Sequence, residues 1–217
     1  MQLGVNVPNF GPGADPGGLR AWARVVEELG FDLLMVSDHV AVTPDVATRY
    51  PAPFGWARQE FDALGVPFTA RGRLTDEHLV ALRKAWHEER QDQTAPIPLW
   101  VGGNSEAGIR RAIRFGDAWH PLRGTLPWMR SVVTAHTLPA FAPRIALRLT
   151  TAPVSGPERL AGTGTLEQIL EDLDELRRLG AHTVVLDPYH GDPEETRRPD
   201  EAWRALASVA AHWRTSS

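Results

Sequence analysis

The stretch from Pro96 to Pro121, PIPLWVGGNSEAGIRRAIRFGDAWHP, constrains the fold of this chain more than any other. Ile97, Leu99 and Val101, with Trp100 between them, form a short apolar run that stops at Gly102-Gly103, the pattern of a buried parallel strand. Asn104 or Ser105 then serves as N-cap and Glu106 places a carboxylate in the first helical turn. Ile109, Ala112 and Ile113 predict the buried stripe of that helix, and Gly116 ends it. Asp117 to His120 opens the next strand. A strand, helix and strand this closely spaced predict a parallel α/β layer.

The two glycines leave two readings open. A strand running through Gly-Gly into a capped helix exposes backbone N–H groups at a positive helix end, which suits a phosphate. The same glycines also make a tight strand-to-helix turn, with or without a ligand.

Flanking segments repeat the β/α alternation. Leu3–Val7 predicts a first strand, ended by Pro8 and the Asn9-Phe10-Gly11-Pro12-Gly13 loop. Asp15 is a cap with Pro16 at the first helical position, and Leu19, Trp22, Val25, Val26 and Leu29 recur at helical spacing. Asp32–Val36, Pro98–Val101, Asp117–His120, Arg144–Thr150 and Thr183–Leu186 bring the predicted strands to six. Helices are expected over Thr75–Arg90, Leu126–Leu138, the segment after Gly162-Thr163-Gly164-Thr165, and Glu201–Trp213.

The chemistry-bearing residues gather at the carboxyl ends of these strands. Asp38-His39 follows the second strand, and a histidine beside an aspartate is either an acid–base pair near neutral pH or a structural ion pair at a loop. Trp119 and His120 are expected at the same mouth, where His120 either meets a ligand or caps the Leu122–Thr125 loop. Arg148 either reaches a phosphate or acidic substrate or stands as an ordinary surface arginine. Asp38, His39, His120, Asp187 and His190 match no recognised metal-ligand spacing, so no metal site is expected.

Composition narrows the classes. The 217 residues suffice for one sizeable core, read as a single domain over 1–217. A net charge of -4, with 23 basic residues spread among 27 acidic ones, gives no nucleic-acid footprint. Zero cysteines exclude disulfides and thiolate metal sites. With no membrane-length apolar run and no signal-like amino terminus, the expectation is a cytoplasmic protein that meets neither nucleic acid nor membrane.

Five segments, in order, resemble one family: LGVNVPNFG, EELGFDLLMVSDHV, GWARQEFDALGVPFTARGRLTDEHLVALRKAW, the central PIPLWVGGNSEAGIRRAIRFGDAWHP, and GTGTLEQILEDLDELRRLGAHTVVLD. Together they resemble the luciferase-like monooxygenases and their deazaflavin-dependent oxidoreductase relatives, which are (β/α)8 barrels. Against that eight-strand template about two β/α units are absent near 54–55, and a shorter segment is absent near 90–96. The resemblance implies a TIM-barrel-derived α/β fold with about six parallel strands in a contracted or incomplete barrel. Bare parallel edges then predict a homodimer.

The resemblance also implies a function, an oxidoreductase passing a hydride between a deazaflavin (coenzyme F420) or FMN and a small organic substrate. Asp38 and His39 take the catalytic positions beside the cofactor ring. Asn6, Gly102, Gly103, Asn104, Ser105, Trp119 and His120 take cofactor-binding positions, the phosphate falling at Gly102–Ser105. Abundant Ala, Arg, Gly, Pro and Trp, as in a GC-rich coding sequence, favours the deazaflavin. The alternative is a catalytically inactive flavin-binding or scaffold protein, since the family's third strand, which supports the ring, has no counterpart here.

Overall fold

The structure, a computed structural model, describes residues 1–37, 61–62, 64–89 and 97–213. The chain divides into two compact units, Met1–Ser37 together with Trp100–Ser217, and Asp38–Leu99. The first opens with β1 (Gln2–Val7), α1 (Pro16–Glu28) and β2 (Leu33–Val36). Asp15 caps α1 as the sequence predicts, its carboxylate accepting from Gly18 N at 2.8 Å with Pro16 following. In the second unit a short 3-10 turn, Phe68–Ala70, leads into α2 (Arg71–Glu89), about one turn earlier than expected. Phe61 and Phe68 meet edge to face there, ring centroids 5.3 Å apart. The two junctions at which the sequence predicts absent segments, near 54–55 and 90–96, lie outside the described residues.

The first unit resumes with β3 (Trp100–Gly102), α3 (Glu106–Phe115), β4 (Ala118–His120) and α4 (Leu126–Ala135). β5 (Ala140–Phe141), β6 (Arg144–Ala146), β7 (Arg148–Leu149) and β8 (Thr163–Gly164) follow. α5 (Leu166–Arg178), β9 (Thr183–Asp187), a 3-10 turn at Pro193–Arg197 and α6 (Asp200–Trp213) complete it.

All strand pairs are parallel. One sheet has the order β2-β1-β9-β6, another β3-β4-β5, and β7 pairs β8 alone. The segment 140–146 joins the first two into one wall. On one side Ala142 N and Arg144 N donate to the carbonyls of Trp119 and Pro121; on the other, His182 N and Val185 N donate to those of Phe141 and Pro143. The resulting order, β2, β1, β9, β6/β5, β4, β3, is six strands deep. The last strand pairs the first, as when a barrel closes, yet among the described residues no strand links β2 to β3. The fold is therefore α/β of the barrel type with an incomplete wall.

Several local expectations are corrected. The predicted strand before the glycines shortens to Trp100–Gly102, and Ile97 is 62% exposed. The run Arg144–Thr150 divides at Leu147: its N–H still donates to the Asp187 carbonyl on β9, whereas Arg148 N donates to the Gly162 carbonyl, so β6 and β7 serve different sheets. In α3, Ile109 and Ala112 are buried but Ile113 is exposed; Gly108 takes its place on the inner side.

Register sorts the wall into two faces. Leu3, Val5, Val7, Ile145, Val184 and Leu186 form a wholly apolar, buried face, the one that helices cover in such folds. The other face is mixed and carries the buried polar groups. Asn6 pairs Met35, Ala146 pairs Asp187, and extending the Val5–Leu186 pair by one residue sets Asn6 beside Asp187. Arg144, two residues before Ala146, lies on the same face.

Candidate functional site

The glycine turn is built by close approach. Gly103 has φ +124°, outside the range L side chains favour, and a Cβ on Gly108 would stand 3.2–3.3 Å from Gly103 backbone atoms. Glycine is thus required at one position by backbone conformation and favoured at the other by proximity. Ser105 caps α3, its hydroxyl accepting from Gly108 N at 3.2 Å. The other first-turn N–H groups, Glu106 and Ala107, have no intrahelical acceptor. Glu106 turns its carboxylate to Arg110 at 3.1 Å and His136 at 3.6 Å, which draws its negative charge off the helix end.

Asn104 fixes the turn against the next strand. Its Nδ2 donates to Leu122 O at 2.6 Å and its Oδ1 accepts from Leu122 N at 2.8 Å, the pairing a strand residue would make. Gly102, Asn104 and Ser105 remain exposed, so backbone donors at this turn are open to an incoming anion.

Trp119 and His120 do not share the mouth, because adjacent strand residues face opposite ways. Trp119 is 0% exposed, stacked on Phe141 and edge-on to Trp128, and its indole N–H donates to the Gly103 carbonyl at 3.0 Å. It supports the glycine turn from the helix side. His120 pairs Gly102, lies near the Trp100 ring, and holds the Ala142 carbonyl through Nδ1. That bond leaves Nε2 as the acceptor of the neutral ring. Burial lowers its pKa; the Ala142 bond opposes this and Arg144 adds to it.

Next to His120 lies a cluster that sequence reasoning did not find. Asp187, 0% exposed at the end of β9, takes two arginines on Oδ2: Arg123 through Nε at 3.1 Å and Nη2 at 2.9 Å, and Arg144 through Nε at 2.8 Å and Nη2 at 2.7 Å. Tyr189 N donates to Oδ1 at 3.3 Å, and Arg123 also reaches the Tyr189 carbonyl. Arg123 is held at φ +47°, an uncommon conformation for a side-chain-bearing residue, and these bonds over-determine it. The signal was partly legible: a lone aspartate ending an apolar strand needs partners, but their identity is non-local. Among the described residues no group of three or more His, Asp or Glu is arranged to hold a metal.

Asn6 completes the inner face. It is 0% exposed; its Oδ1 accepts from Ser37 Oγ at 3.4 Å, while its Nδ2 has no hydrogen-bond partner among the described residues. A buried amide donor left unmatched is costly, and such groups call for an explanation. Asp38 and His39 lie outside the described residues.

A parallel wall with an exposed, capped glycine turn at its carboxyl ends defines a barrel-type α/β fold. The comparisons make this specific. The luciferase-like monooxygenase family matches residues 52–148, which include the glycine turn, β4, β5 and β6. Uncharacterized proteins of Mycobacterium tuberculosis and Mycobacterium bovis are 34% identical over 77 residues, covering 28% of this chain and 26% of each relative. The chain thus spans about a quarter of the length of the curated relatives it matches. Among solved structures, the coenzyme F420 dependent tetrahydromethanopterin reductase from Methanopyrus kandleri superposes with TM-score 0.60 at 11% identity, over 97% of either chain. An F420-dependent secondary alcohol dehydrogenase in complex with an F420-acetone adduct gives TM-score 0.56 at 12% identity, over 96% of this chain and 99% of the other. The luciferase-like resemblance read from the sequence is borne out, and the fold is shared with coenzyme F420-dependent enzymes. No helix among the described residues is long and apolar enough to cross a membrane.

Proposed function

We propose that the chain is a cofactor-dependent oxidoreductase that binds a deazaflavin such as coenzyme F420, with FMN as the second candidate, and acts on a small organic substrate. The observation that carries this reading is the glycine turn, an exposed anion site whose shape depends on Gly103 and Gly108 lying in contact. The buried, unmatched Nδ2 of Asn6 supports it, since a ring carbonyl would satisfy that donor. Gly102, Gly103, Asn104 and Ser105 would hold the phosphate by backbone N–H groups, and Asn6 and His120 would orient the ring. When bound, the cofactor supplies hydride chemistry; the protein supplies position and electrostatics. His120, neutral and anchored by Nδ1, offers Nε2 as an acceptor at a fixed place. Asp38 and His39 remain the proposed catalytic pair, and a homodimer formed through the wall's edges remains part of the proposal, supported by the exposed Leu34 and Val36 of β2.

The test is a titration of the protein with coenzyme F420 and with FMN, followed by visible absorbance and fluorescence, beside Ser105→Asp. Aspartate caps a helix as well as serine does, so the fold is kept while a negative charge enters the phosphate position. Saturable binding weakened at least about ten-fold by Ser105→Asp is expected, as a like charge disfavours the phosphate there. Binding of neither cofactor overturns the proposal. A second reading, an inactive cofactor-binding protein, is favoured by the lack of a strand linking β2 to β3 among the described residues. Tight binding without turnover across a panel of alcohols, ketones and imines would select it.

A further inference from the structure

A cleft of about 1120 Å³ opens in the first unit where the carboxyl ends of β1, β7 and β9 meet the start of α6. No residue of the glycine turn lines it, and no residue proposed above to hold the cofactor does. Its apolar wall is formed by Trp22, Leu147 and Tyr189, all buried. Its charged lining is unusual in one respect. Arg148, Arg198 and Arg204 all line it, and none forms an ion pair with another described residue, whereas the arginines around Asp187 and Asp172 are fully engaged. Three carboxylates also line the cleft, but they do not neutralise these arginines. Glu195 accepts from His190 N at 2.8 Å, and Asp200 and Glu201 stand in the first turn of α6, where the helix dipole suits them.

We propose that this cleft binds an organic anion with an apolar body, its carboxylate or phosphate held by Arg148 and Arg198 and its hydrocarbon against Trp22, Leu147 and Tyr189. A guanidinium fork matches such a head group in a bidentate manner, and the open cleft leaves room for the hydrocarbon beside it. His190 reports the field at that end: partial burial lowers its pKa first, Glu195 opposes this, and Arg148 and Arg123 add to the lowering. The proposal stands apart from the cofactor reading. If both hold, the cleft is where the substrate's acidic end lies.

The experiment is calorimetric titration of the cofactor-free protein with 2-naphthoate and with its neutral counterpart 2-naphthylmethanol. One-to-one binding with at least about a ten-fold preference for the carboxylate is expected, reduced to about three-fold or less in Arg148→Gln/Arg198→Gln. Both arginines are exposed, and an unchanged thermal melt will show that the double variant folds. Equal affinity for acid and alcohol, an unchanged preference in the variant, or no binding of 2-naphthoate overturns the proposal. Because no cofactor is present, failure here leaves the glycine-turn titration unaffected, and failure there leaves this one.

Discussion

Replacing Asp187 by asparagine tests whether the buried cluster holds the wall together. The carboxylate is 0% exposed, and its two partners are nearly so, with 11% and 14% of the Arg123 and Arg144 side chains exposed. All four arginine contacts fall on one oxygen at 2.7–3.1 Å. Asparagine can turn its carbonyl to both guanidiniums, but its NH2 then meets the Tyr189 N–H that Oδ1 now accepts, and two positive charges lose their shared counter-ion. Breaking a buried ion pair from one side costs about 3–5 kcal/mol. For a protein of this size that is a fall of about 6–20 °C in Tm. Urea unfolding followed by tryptophan fluorescence gives the free energy, with Glu77→Gln as the control. Its ion pair with Arg73 is 65% and 54% exposed, so it should change stability by less than about 1 kcal/mol. A loss below about 1 kcal/mol for Asp187→Asn would refute the argument that this cluster is desolvated and interdependent.

Gly162→Ala should be worse than most core truncations, since its Cβ would stand 1.7 Å from the Ala146 carbonyl at φ +81°; a loss of more than about 3 kcal/mol, or no soluble protein, is expected on expression and melting. His120 and His190 both have lowered pKa values, so below about pH 6.5 the unfolded chain binds protons that the fold resists. Stability from this source is complete above that pH and falls as pH drops toward the folded-state pKa values; His120→Gln should flatten the decline between about pH 7 and 5 in urea titrations at stepped pH. Asn6→Leu removes an unmatched buried donor and should leave stability unchanged or raised by about 1 kcal/mol while weakening cofactor binding. Loss of stability without loss of binding would make Asn6 a purely structural residue.

The sequence reading succeeded where one local pattern decides one local structure. The capped starts of α1 and α3, Gly116 at the end of α3, and the strand positions around β1, β2, β4 and β9 follow from caps, glycines and apolar runs. It failed where two residues suffice for a strand. β5 is Ala140-Phe141, set between Pro139 and Pro143, and β8 is Thr163-Gly164; neither has room for a period of 2. It erred in giving both Trp119 and His120 to the mouth, though strand alternation alone separates them. The Arg123–Asp187–Arg144 cluster was out of reach for another reason: its members are brought together by register across β6 and β9 and by the loop after β4, none of which is local. Gly108 carries no local signal within its helical run, because its contact with Gly103 depends on how sharply the chain turns between them.

The wall order explains how the first unit alone can present such a site. β3, β4 and the 140–146 segment are consecutive neighbours, so the glycine turn, the Asn104 clamp and His120 are set by adjacent strands. The next neighbours, β9 and β1, bring Asp187 and Asn6 side by side on the same inner face. Each of these features is fixed by parallel pairing within the first unit, where a one-residue slip would turn Asn6, His120 and Asp187 to the apolar side and Trp119 to the polar one. Register is therefore strongly specified on both faces. The Asp187 cluster reinforces it, because Arg144 on β6 and Arg123 beyond β4 reach the same carboxylate only in this alignment. The cluster thus acts on the proposed cofactor site as a positioning device: it locks β9 to its neighbours, and so fixes where Asn6 and His120 present their nitrogens.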